Sequence, residues 1–236
     1  KQRKEGKVVI HPVFIRYFFE GDLQTTLTPV IEEIEKRLAW QLQTQLPLRD
    51  RIWKIGSALL ALKEIEYFAA PQSGTYPERL QRLEDHLLTP LENQWCASRH
   101  DGDLMARVKR IRSAILPEMV TGDLSDAERT TRWRHLADVY LVQQLHCYPG
   151  DYIEDPTPER ILETVERYEE DLTDVARPHF PIRAVITVGE AIEIPVTHDR
   201  SQETDPIIKE VRDQLEALLE SSKARRRVIP TGTAMT

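Results

Sequence analysis

The chain of 236 residues is long enough for one large domain or two small ones with a sizeable buried core. Its 40% hydrophobic and 30% charged residues are typical of a folded globular protein and exclude a largely disordered chain. The formal net charge of −7 disfavours a general nucleic-acid-binding protein, which needs a broad basic surface.

The two cysteines, Cys96 and Cys147, are too few for a disulfide framework or a structural zinc site, so a reducing compartment is expected. No apolar run in the sequence approaches the length that spans a bilayer.

The first predicted element is a strand at residues 8–19, which are rich in Val, Ile and aromatic side chains. Pro12 lies inside it and has no amide to donate to a neighbouring strand. We therefore expect a bulge or an edge position near Pro12. Because this strand has nothing in front of it, further residues are expected upstream of Lys1.

Six helices are predicted in the next section of the chain, where apolar residues recur at helical spacing. Thr28 and Pro29 supply a cap and a first-turn proline for the first of them. Ser125 opens the fifth with a capping box, and Thr157 with the proline after it opens the sixth. The four tryptophans lie at or near apolar stripes and are expected in the core. No fixed-period repeat is visible, which disfavours a solenoid.

A second strand is predicted at residues 182–188, where the apolar period returns to two, and a last helix opens at Asp205. Neither predicted strand has another strand to pair with in this sequence, and an unpaired buried strand leaves its amides and carbonyls unsatisfied. We therefore predict that residues 13–17 and 184–188 lie in one sheet or side by side at its edge.

Two short blocks of the sequence resemble a known enzyme family. Residues 8–17, VVIHPVFIRY, resemble the last conserved block of the glycerol-phosphate and lysophosphatidate acyltransferase family, a strand that usually reads V-P-V-A-I-R-Y. Residues 186–192, ITVGEAI, are similar to the strand that closes that domain, often V-x-x-G-x-P-I. Ala191 stands where the family usually has proline.

The resemblance implies an α/β fold, predominantly helical here, in which two strands of an acyltransferase-type sheet flank a large helical insertion. The implied divisions are 1–20 for the first strand, 21–180 for the insertion, 181–197 for the closing strand, and 198–236 for a C-terminal helix and a disordered tail.

The resemblance also implies a function in phospholipid biosynthesis. The parent enzyme would move an acyl chain from a thioester donor to a glycerolipid hydroxyl at the cytoplasmic surface of the inner membrane, with no metal or other cofactor and no nucleic-acid partner. The family's catalytic histidine and aspartate, and its Glu-Gly-Thr-Arg block, precede the block at Val8, so both are expected upstream of this chain. This stretch alone is then expected to be inactive, with His11, Pro12 and Val13 as substrate-binding residues at the mouth of the site.

His146 and Asp151 reproduce the family's catalytic spacing. However, Pro149 and Gly150 form a turn between them, and the pair follows the block at Val8 instead of preceding it. We expect His146 to interact with the dipole at the C-terminus of the fifth helix instead.

Two alternatives from other classes remain open. The first is a helical binding module with no catalytic role. The second is a metal-dependent phosphohydrolase, in which His86, His100, Asp101 and Asp138 would hold an ion that activates water. Against the second, His100 and Asp101 fit a turn between helices, with Asp103 as the cap of the next helix.

Overall fold

The computed structural model of this chain describes residues 7–146, 156–195 and 205–223. These ranges are predominantly helical, with a few short antiparallel strands, as the sequence predicted. Cys147, Asp151 and the predicted disordered tail after residue 223 lie outside the described residues. The elements in chain order are β1 (Val9–Ile10), β2 (Val13–Phe19), α1 (Leu23–Arg37), α2 (Leu48–Phe68), α3 (Tyr76–Trp95), α4 (Leu104–Thr121), α5 (Asp126–His146), α6 (Pro158–Thr173), β3 (Ile182–Val188), β4 (Ile192–Glu193) and α7 (Pro206–Lys223).

The chain divides into two compact units. The strand unit comprises residues 1–22 and 179–236, and the helical unit comprises residues 23–178. The helical unit therefore covers nearly the same residues as the predicted insertion. Its insertion into an acyltransferase sheet stays a prediction.

The strand unit is a long antiparallel ribbon. β2 pairs with β3, so that Val13 lies opposite Val188 and Tyr17 opposite Ala184, and β1 pairs with β4. The predicted pairing of residues 13–17 with 184–188 is thus confirmed. Between the two pairs, two residues of one strand (11–12) face three of the other (189–191), which is a bulge. The irregularity predicted at Pro12 is confirmed by this break.

The helical unit is built around two groups of helices. The C-terminal half of α2 packs with α3, α4 and α5 around a core that includes Leu83, Leu88, Ile111, Ile115, Val139 and Val142. α1 packs against α2 and α6, and its inward side chains Leu27, Ile31 and Ile34 are buried. The predicted helix starts at Ser125 and Thr157 are confirmed. Ser125 forms a reciprocal capping box with Glu128, and the Thr157 hydroxyl accepts from the Arg160 amide at 3.3 Å.

Two expectations about the helices are wrong. α1 begins at Leu23, so Pro29 lies inside it instead of in its first turn. Burial of Leu27 and Ile31 on one face holds the helix together across the proline, and the Thr28 hydroxyl bonds the Gln24 carbonyl at 2.6 Å. The tryptophans are also not all in the core: the side chains of Trp53 and Trp133 are exposed.

Three buried ion pairs join successive helices. In each, a glutamate near the end of one helix receives two parallel bonds from an arginine in the first turns of the next helix, at 2.7–2.9 Å. A third group, eight residues after the glutamate, bonds the same carboxylate. It is the backbone N–H of Gln43 or Gln72 in the first two pairs and Nδ1 of His100 in the third. We call these pairs the Glu–Arg clasps: Glu35–Arg51, Glu64–Arg79 and Glu92–Arg107.

The clasps form a periodic feature that the sequence analysis missed. Arg51, Arg79 and Arg107 are equally spaced along the chain, and each lies four residues after the N-cap of its helix. The prediction that the chain holds no fixed-period repeat is therefore wrong at these positions. Burial alone would raise the pKa of each clasp glutamate. The bonds from the arginine and from the loop outweigh burial, so the net pKa is lowered in all three.

Candidate functional site

One face of the β2–β3 ribbon is apolar and exposed. Val13, Ile15 and Tyr17 alternate along β2, and each lies directly opposite an exposed apolar residue of β3. More than half of the surface of each of the five larger side chains is open to solvent. We call this surface the apolar ribbon face: Val13, Ile15, Tyr17, Ala184, Ile186 and Val188.

The opposite face of the ribbon is covered. α7 packs against β2, and the Arg16 guanidinium donates to the Ser222 hydroxyl of α7 at 2.5 Å. Phe18 is buried, with the guanidinium carbons of Arg16 and Arg183 5.1 and 4.8 Å from its ring centre. Side chains alternate between the two faces of a strand, so the residues of the apolar ribbon face lie on the side that α7 does not cover.

His11, Pro12 and Val13 lie at the bulge that separates β1 from β2. The Pro12 carbonyl accepts from the Gly189 amide at 2.7 Å, and His11 Nδ1 lies 3.3 Å from the Gly189 carbonyl oxygen. Pro12 is buried, whereas His11 and Val13 are exposed. A side chain at Gly189 would come within 2.6 Å of Gln214 Oε1, so only glycine fits without displacing Gln214. The two resembling blocks therefore meet here, although the role of His11, Pro12 and Val13 in binding substrate stays a prediction.

The residues of the phosphohydrolase alternative are not brought together. His100 bonds Glu92 at 2.8 Å, and Asp101 is held by Arg99 at 2.6 Å. His86 packs against Phe68, and Asp138 accepts from the Tyr67 hydroxyl at 3.0 Å. Within the described residues, no group of three His, Cys, Asp or Glu side chains has a geometry that could hold a metal ion. The structure does not bring these four residues together, because each side chain serves helix packing or a turn, and the phosphohydrolase alternative stays a hypothesis. Asp103 does cap α4, as expected, by accepting from the Ala106 amide.

His146 lies beside a buried glutamate at the end of α5. Its Nδ1 is 3.4 Å from Glu84 Oε1. Burial raises the pKa of Glu84, and the histidine only partly offsets that effect. Asp151, the other half of this spacing, lies outside the described residues.

Comparison with known proteins does not identify a family for this chain. The chain matches no family model, no curated protein and no solved structure. None of the helices in the described ranges combines the length and the apolar content that crossing a bilayer requires.

A cavity of about 370 Å³ opens inside the helical unit between α2, α5 and α6. Six leucines line its walls: Leu59, Leu60, Leu62, Leu141, Leu145 and Leu172. Four charged side chains of both signs join them: Lys63, Glu66, Arg167 and Asp171. We call it the leucine cavity. The sequence analysis missed it because its lining comes from segments about 80 to 110 residues apart, and leucines at helical spacing predict core packing.

Proposed function

We propose that this chain is the C-terminal part of a glycerolipid acyltransferase, whose catalytic histidine and aspartate lie upstream of Lys1. The proposal is supported mainly by one observation. The two blocks that resemble the family's last strands pair directly with each other in the fold, although more than 160 residues separate them in the sequence.

The apolar ribbon face gives this proposal a physical basis. With α7 packed on one face, the two-stranded ribbon still leaves its apolar ribbon face in water. An exposed contiguous apolar surface is typical of a site where another part of a protein packs. We assign the upstream acyltransferase elements to this surface, where they would cover the open face of β2 and β3. The enzyme would act at the inner membrane surface, where a glycerolipid acceptor is found.

The first test is the upstream sequence itself. We expect it to encode a histidine, four residues, an aspartate and then a Glu-Gly-Thr-Arg block. The longer protein should transfer an acyl group from an acyl thioester to lysophosphatidate, and replacement of that histidine should lower the rate about 10²–10⁴-fold. An upstream sequence without these motifs would refute the proposal and favour a helical binding module.

The second test concerns the apolar ribbon face. Ile15→Lys should change the stability of the present chain by less than about 0.5 kcal/mol, because Ile15 is exposed here. In the longer protein the same substitution would bury a lysine and should lower both the melting temperature and the acyl-transfer rate. Glu190→Lys, an exposed position in the bulge, is the matched control and should change neither. Equal effects of Ile15→Lys in both proteins would contradict a covering by upstream elements.

A further inference from the structure

The leucine cavity has the size and lining of a site for one alkyl chain. Ligand pockets in proteins usually measure about 300–1,000 Å³ and are mainly apolar with a few polar groups. At about 370 Å³ the leucine cavity lies near the lower limit, which suits a single chain better than a two-chain lipid. Its leucine side chains offer no hydrogen bonds and favour an apolar ligand body, while Tyr76, Gln144 and Tyr168 add polar atoms to the lining.

The rim of the cavity carries both signs of charge. Lys63 and Glu66 come from α2, and Arg167 and Asp171 from α6. Lys63 pairs with Glu66 at 2.8 Å and Arg167 pairs with Asp171 at 3.1 Å, each within its own helix. Burial raises the pKa of Asp171, and the charges of Arg167 and Lys63 both partly offset that effect, so the two rim pairs lie close together.

These rim pairs are exchangeable. The acidic partners are about half exposed, and ion pairs within one helix at the surface are weak, although the Arg167 side chain is only 20% exposed. A ligand that offers one negative and one positive group can therefore exchange with these pairs. A purely anionic head would gain the two cations but would also face the two carboxylates together with Glu170, which pairs with Arg167 at 3.0 Å.

We propose that the leucine cavity binds a single-chain lipid with a zwitterionic head, its alkyl chain among the leucines and its phosphate and ammonium groups on the rim charges of opposite sign. This inference does not rest on the proposed acyl-transfer function. It places a lipid-binding role in the helical unit itself.

The test is calorimetric titration of the full 236-residue chain with lysophosphatidylethanolamine, below the concentration at which the lipid forms micelles. We expect saturable binding that is tighter than the binding of palmitate, which has the chain and only the negative charge. Lys63→Ala and Asp171→Asn should each weaken binding about fivefold, as expected for the loss of one partly exposed ionic contact. Lys109→Ala, at an exposed position on α4 away from the cavity, should leave the affinity unchanged.

Leucine methyl resonances locate the bound chain. Leu59 and Leu141 should shift on binding, whereas Leu83 and Leu88 in the neighbouring core should not. Leu62→Asp places a charge at an exposed part of the lining, so it should abolish binding while the thermal unfolding temperature stays unchanged. The proposal is overturned if binding is not saturable, if shifts spread over the core leucines, or if palmitate binds as tightly as the zwitterion.

Discussion

The Glu–Arg clasps predict a large and specific loss of stability when one carboxylate is neutralised. Glu64 is completely buried, and Arg79 donates to its two oxygens at 2.8 and 2.7 Å. The backbone N–H of Gln72 donates a third bond to the Glu64 carboxylate at 3.0 Å. Glu64→Gln keeps the shape of the side chain but leaves the guanidinium of Arg79, only 14% exposed, without its counter-charge.

The expected cost follows from that uncompensated charge. Breaking a buried pair by removing one partner typically costs about 3–5 kcal/mol, whereas replacing both partners by apolar residues is often neutral. We therefore expect Glu64→Gln to lower the free energy of unfolding by about 3 kcal/mol or more. Glu64→Met combined with Arg79→Met should recover most of that loss, since no buried charge then remains.

Urea unfolding followed by circular dichroism measures both effects, with the midpoint as the primary readout. Glu66→Gln is the matched control, because Glu66 lies two residues away on the same helix and pairs with Lys63 at the surface. The control should change the free energy of unfolding by less than about 0.5 kcal/mol. If Glu64→Gln costs no more than Glu66→Gln, the clasps do not stabilise the helical unit in the way described.

Four further predictions concern the pH dependence of stability, the packing of Gly56, the cap at Ser125 and the role of His146. Because the folded pKa of each clasp glutamate is lowered, its stabilisation is present above the ordinary value of 4.5 and is lost as pH falls through the lowered value. Urea midpoints should therefore fall steeply below about pH 4.5. Glu84, whose pKa is raised mainly by burial, should oppose this trend with a small loss of stability as pH rises above 4.5. Gly56→Ala should lower the free energy of unfolding by about 1–3 kcal/mol, since its Cβ would lie 2.3 Å from the Tyr168 hydroxyl, and Tyr168→Phe should partly restore it in urea unfolding. Ser125→Ala should cost about 1 kcal/mol by the same measurement, through loss of the capping box. His146→Ala should lower acyl transfer by the longer protein less than about tenfold, whereas a true general base would cost 10²–10⁴-fold.

Local chemistry explains why many element boundaries could be predicted. The capping box at Ser125 and the Thr157-Pro158 start act within one helical turn, so the sequence alone contains all the atoms involved. Alternation at residues 182–188 likewise depends only on the two-residue period of a strand. The pairing of β2 with β3 could also be inferred, because each strand needed a partner and the sequence offered one.

Where local signals competed with packing, the prediction from sequence was wrong. Pro29 normally marks a helix start, but burial of the α1 face extended the helix in front of it. Trp133 lies near an apolar stripe, yet the core of α5 is filled by His135, Val139 and Val142, and the indole is left exposed.

The sequence by itself determined the order of elements, their approximate limits and the apolar faces of the two strands. Only the tertiary structure decided which polar groups meet. The Glu–Arg clasps join residues fifteen or sixteen positions apart in the sequence, and only the packing of successive helices brings each glutamate to its arginine. The leucine cavity is likewise formed by distant segments of α2, α5 and α6, whose leucines predict the same burial as any core position. Periodicity shows that a side chain turns inward, whereas the packing of whole helices decides whether it meets another side chain or an open cavity.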